Sequence, residues 1–157
     1  MKSICIFHTR SGISKDIAPE ISRGINAELL QISDGKSRKG FFGYISAAVS
    51  GLKKSLPTLL LCAPSHPLEE YDRVIIVAPV WCENVSPVMR AFLLQNKNRF
   101  KGELYYVIGS MSGISYKQKI DELELLTGKA YTGVLQLKTH KNDWRGEVAE
   151  FTERLKM

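Results

Sequence analysis

Cysteine is scarce in this chain, with three in 157 residues. Cys5, Cys62 and Cys82 are odd in number and share no metal-ligand spacing, which argues against a disulfide framework or a structural zinc. A reduced, cytoplasmic setting is the expectation. Histidine is as sparse, and His8, His66 and His140 are scattered without zinc-like grouping. No apolar run approaches the roughly 20 residues that span a bilayer; residues 74–80 are among the longest. The pattern of a first strand begins at residue 3, so no signal peptide is expected. Also lacking are a Ser-His-Asp order, paired catalytic carboxylates and a Gly-x-Gly-x-x-Gly fingerprint.

Acidic residues are missing from one whole stretch. Residues 35–68 hold none, while Lys36, Arg38, Lys39, Lys53 and Lys54 are basic. This unevenness carries much of the formal charge of +6. A solvated basic face is the plain reading; an acidic partner or peripheral contact with an anionic membrane is the sharper one. Nucleic acid is not expected, because there is no helix-turn-helix or ribonucleoprotein motif and no stacking platform among the basic residues.

What is present is a soluble-type composition, 44% hydrophobic and 24% charged, in a chain long enough for a full core. One domain over residues 1–157 is expected. Residues 3–7 read as a buried strand. Ile13, Ile17, Ile21 and Ile25 then recur at helical spacing. Residues 27–32 read as a second strand, and 33–40 as a polar loop. Residues 41–54 read as an additional helix within an extended connection covering about 41–70. The β-branched run 73–78 suits a central parallel strand. Residues 79–84 read as a loop, and Ser86-Pro87 as a helix start with Ser as the cap. Residues 103–108 form the next strand, 109–115 a loop and 116–126 a helix. Residues 131–137 and 143–156 read as the last strand and helix. Five alternations of strand and helix imply a parallel sheet covered on both faces.

In such a sheet ligands bind beyond the carboxyl ends of the strands, where strand order reverses. Three loops at strand ends carry unusual residues. The first, Thr9-Arg10-Ser11-Gly12-Ile13-Ser14, combines hydroxyls and a glycine with the start of a helix. Unpartnered backbone N–H groups and the helix dipole favour an anion there; a plain helix cap is the competing reading. The second holds Pro79, Val80, Trp81 and Cys82, with one of only two tryptophans in the chain. The third, residues 109–116, includes Ser110, Met111, Ser112, Gly113 and Tyr116. Cys82, Glu83 and His8 read more simply as loop and strand-end residues. Phe41, Phe42 and Tyr44 read more simply as helix core.

Thr9-x-Ser11-Gly12-x-Ser14 resembles the phosphate loop of the flavodoxin family, Thr/Ser-x-Thr-Gly-x-Thr. Residues 71–76 followed by Ala78-Pro79-Val80-Trp81 resemble that family's strand and second loop, and residues 86–93 its following helix. Residues 109–116 stand at its third flavin loop, with Tyr116 at the aromatic position and Ser112 where an acidic residue is usual. The resemblance covers the whole chain. It implies a doubly wound five-stranded parallel sheet, order 2-1-3-4-5, and non-covalent flavin mononucleotide (FMN). Thr9, Arg10, Ser11, Gly12, Ile13 and Ser14 would hold the phosphate. Pro79, Val80, Trp81 and Cys82 would flank one side of the ribityl chain and ring. Ser110, Met111, Ser112, Gly113 and Tyr116 would flank the other. The implied role is electron transfer between a separate reductase and an acceptor protein. An oxidoreductase with its own substrate (a quinone or flavin reductase, or a flavodoxin-type protoporphyrinogen oxidase) and a module without flavin are the alternatives. Family members are typically acidic, whereas this chain has a pI near 9.3.

Overall fold

The computed structural model describes residues 1–9, 13–35, 56–60, 63–81, 84–110, 117–138 and 144–157. The additional helix expected at 41–54 lies outside them. So do Arg10, Ser11, Gly12, Cys82, Met111, Ser112, Gly113 and Tyr116 of the three loops.

In chain order the elements are β1 (Ser3–Phe7), α1 (Ile13–Ile25), β2 (Glu28–Gln31), a 3-10 turn (Leu68–Glu70), β3 (Arg73–Trp81) and β4 (Asn84–Val85). They continue with α2 (Pro87–Gln95), β5 (Glu103–Ser110), α3 (Lys117–Thr127), β6 (Gly133–Lys138) and α4 (Trp144–Lys156). Five strands are parallel, in the order β2-β1-β3-β5-β6. This is the expected 2-1-3-4-5 order of the parallel strands. The short β4 pairs antiparallel with the end of β3.

Alternation along each strand sends side chains to two separate cores. Ile4 and Ile6 of β1, Val74 and Ile76 of β3, and Leu104 and Tyr106 of β5 face α2 and α3, against Val88, Met89, Leu93 and Leu123. Cys5 and Phe7, Ile75 and Val77, and Val107 face α1 and α4, against Ile17, Ile21, Val148 and Phe151. Each large side chain removed from water contributes about 1.5–3 kcal/mol. The helices on both faces are what let β3 be apolar from Val74 to Trp81. Burial also carries α1 through Pro19, which removes one hydrogen bond of the helix ladder. Ile17, Ala18 and Ile21 around it are at most 1% exposed.

Two differences from the sequence reading concern strand length. Residues 79–84 read as a loop, but β3 runs on to Trp81 and pairs antiparallel with β4, with Val80 opposite Val85 and Trp81 opposite Asn84. Pro79 signals a break because it lacks an N–H. It is tolerated because the ladder with β1 stops at Val77, while β5 still runs alongside to Gly109. For the same reason Gly109 and Ser110, read as loop, belong to β5.

The amino end of the sheet is braced by polar contacts. Arg73 donates from Nε to Glu103 at 2.8 Å and from Nη1 to the carbonyl of Leu155, satisfying the last turn of α4. Lys2 bonds through its backbone N–H to Asp72 and through its ammonium to Glu70. Glu28 accepts from the Tyr71 hydroxyl at 2.5 Å and from the Ser65 N–H at 2.8 Å. Burial pushes the Glu28 carboxyl up, but these two hydrogen bonds and the charge of His66 bring it below the usual range.

Candidate functional site

The strand order reverses between β1 and β3. From β1 the chain moves outward to β2, and from β3 it moves the other way to β5. A crevice therefore opens beyond the carboxyl ends of these two strands. Residues from all three sequence-predicted loops are carried to this end of the sheet.

From β1 come His8 and Thr9, followed by Ile13 and Ser14 at the start of α1. Ser14 is 2% exposed. The thirteen residues of α1 aim its positive end at this position. Asp16 also lies in the first turn; its charge complements the helix end and would oppose an anion bound there. From β3 come Pro79, Val80 and Trp81, at the strand end where β3 pairs with β4. From β5 comes Ser110, in register with Lys138 of β6. Among the described residues no group of three His, Cys, Asp or Glu side chains could hold a metal ion. No helix among them is long and apolar enough to cross a membrane.

One contact ties the crossover after β1 to the one after β3. His8 Nδ1 lies 3.0 Å from Ser86 Oγ, and Ser86 Oγ also accepts from the Met89 N–H at 3.3 Å. Ser86 is thus the cap of α2, as its sequence position before Pro87 predicts. It is fully buried, and His8 is 5% exposed. The simpler reading of His8, a strand-end residue with a satisfied hydrogen bond, agrees with this contact.

The sequence reading passed over Arg90. It stands in an otherwise apolar run, Val88 to Leu94, and that isolated cation was the available signal. Arg90 is buried on α2 and pairs with Glu122 of α3, with Nη2 at 2.9 Å and Nε at 3.2 Å from one carboxylate oxygen. Its Nη1 is buried with no hydrogen-bond partner among the described residues.

No protein-family model and no curated protein matches this chain. Solved structures do. A flavoprotein in complex with FMN from Lactobacillus acidophilus NCFM is 23% identical, with 92% of this chain and 98% of that one covered and a TM-score of 0.71. The flavodoxin, WrbA-like protein from Agrobacterium tumefaciens is 14% identical over 98% of this chain and 93% of its own, at a TM-score of 0.59. The apo form of an NADH:FMN oxidoreductase is 9% identical over 98% and 88%, at a TM-score of 0.56. Strand order, crossover pattern and these likenesses agree: the chain has a flavodoxin-like α/β fold.

Proposed function

We propose that this protein binds FMN non-covalently in the crevice between β1 and β3 and serves as an electron-transfer flavoprotein. The observation that carries this reading is the run from β1 through Thr9 into the N-terminus of α1 at the strand-order switch. The donors there suit a phosphate: the first-turn N–H groups of α1 and the hydroxyls of Thr9, Ser11 and Ser14. Gly12 suits a close backbone approach. Pro79, Val80, Trp81 and Cys82 on one side, and Ser110, Met111, Ser112, Gly113 and Tyr116 on the other, would flank the ribityl chain and ring. The likeness to an FMN-bound flavoprotein supports the assignment. When bound, the flavin supplies reversible uptake of electrons, and the protein orients and tunes it. A separate reductase and an acceptor protein would exchange the electrons. The basic residues between 36 and 54 suit an acidic partner.

The test is titration of the purified protein with FMN and with riboflavin, followed by flavin fluorescence and absorption. Riboflavin lacks the phosphate, so it should bind at least about a hundredfold more weakly. That is about 2.7 kcal/mol, one or two charge-assisted hydrogen bonds. Equal affinity would remove the phosphate assignment. A second reading, an oxidoreductase with its own substrate, draws on the likeness to an NADH:FMN oxidoreductase. NADH oxidation by the FMN-loaded protein without any partner would favour it.

A further inference from the structure

At the amino end of the sheet, surface carboxylates answer cations. Lys2 pairs with Glu70, Arg73 with Glu103, Arg99 with Glu69 and Lys156 with Glu153. At the carboxyl end, on the β5–β6 side, the balance differs. Lys117 opens α3, Lys138 ends β6, and Arg145 stands second in α4. All three are exposed, and none forms an ion pair among the described residues. Both helices begin at this end because each follows a parallel strand. Lys138 stands in register with Ser110, where β5 leads into the third loop.

Two features set these cations apart. A cation at the start of a helix opposes the helix dipole, so helix stability does not account for Lys117 or Arg145. No carboxylate in the first turn of α3 offsets Lys117. The Arg145 guanidinium also lies 4.5 Å from the centre of the Trp144 ring, which holds it in place without neutralising it. Asp121 lies one turn further into α3, and Glu147 is two residues beyond Arg145, on another side of α4. Neither forms an ion pair among the described residues.

The same face is poor in apolar groups. The exposed Leu125 and Tyr131 lie toward the amino end, and no other large apolar side chain is exposed among the described residues of α3, β6 and the start of α4. Insertion into a lipid surface or a lasting apolar interface has nothing to use there. A charged face of this kind suits a small, short-lived contact with a carboxylate-bearing protein, as in electron-transfer encounters.

We propose that Lys117, Lys138 and Arg145 form the docking face for a carboxylate-rich electron-transfer partner. This rests on the reading of the neighbouring crevice as the electron-transfer site.

The probe is a fluorescein-labelled oligoglutamate peptide, titrated by anisotropy into the FMN-loaded protein at low salt. Lys117→Glu/Lys138→Glu should weaken its binding by about fivefold or more and Arg145→Gln by about two- to threefold, both effects fading near about 0.5 M salt. Lys97→Glu/Lys101→Glu makes the same change in net charge at the amino end, where both lysines are exposed, and should stay within about twofold of wild type. In isotope-labelled protein, the amide NMR shifts caused by the peptide should centre on Lys117, Lys138 and Arg145. Circular dichroism checks that each variant is folded. Equal loss in the two lysine double variants, or shifts centred on residues 36–54, overturns this inference and leaves the FMN reading standing. Failure of the wild type to bind FMN overturns the electron-transfer reading, and with it the role given to this face.

Discussion

His8 Nδ1 and Ser86 Oγ are 3.0 Å apart although 78 residues separate them in sequence. The contact joins the end of β1, where the phosphate loop begins, to the cap of α2. Replacing Ser86 by Ala removes the cap of α2 and a partner of a buried imidazole nitrogen. The expected loss is about 2 kcal/mol, or a fall in Tm of about 4–8 °C for a chain of this length. Thermal unfolding by circular dichroism measures it. An unchanged Tm would mean that neither hydrogen bond contributes to stability.

Trp81 ends β3 at the crevice. Under the FMN reading, Trp81→Ala should weaken FMN binding by roughly two- to tenfold, from about 0.5–1.5 kcal/mol of aromatic stacking. Flavin titration and thermal unfolding, run side by side, separate this from a packing defect. Lower Tm with unaltered flavin affinity would assign Trp81 to packing.

Tyr71 donates to Glu28 at the amino end of the sheet, far from the crevice. The phenol is pushed up to about 12, first by burial and then by its bond to the carboxylate. Glu28 is held below its ordinary value, so its contribution to stability is present above the unfolded carboxylate range near 4.5. That contribution fades as pH falls through the lowered folded value. Tyr71→Phe should therefore cost about 1 kcal/mol at pH 7, where Glu28 is charged, and less near pH 3. Urea unfolding of both proteins at the two pH values measures this. A difference that does not change with pH would leave Glu28 out of the pairing.

Local chemistry explains why so much of the fold is legible in the sequence. Ser86-Pro87 marks the start of α2 because a cap and a proline act on their own turn. The β-branched run from Arg73 marks a buried strand because both faces of a parallel sheet are covered. The isoleucines spaced by four mark α1, and the packing of Ile17 and Ile21 outweighs Pro19. The end of β3 is less legible. Pro79 reads as a strand breaker, and only the early end of β1 beside it explains why the strand continues to Trp81.

The sequence by itself determined the order of strands and helices, the caps, and the three loops that carry hydroxyl, glycine and aromatic residues. These are properties of neighbouring residues, set by backbone sterics, side-chain spacing and the burial of one face. Tertiary structure alone decided which distant groups meet. Arg90 finds Glu122 across 32 residues and His8 finds Ser86 across 78, because the sheet order lays α2 beside α3 and β1 beside β3. No local pattern encodes that Arg90 keeps one buried nitrogen without a partner among the described residues. It follows from the packing of two helices, which brings the Glu122 carboxylate to Nε and Nη2 and leaves Nη1 with no acceptor among the described residues.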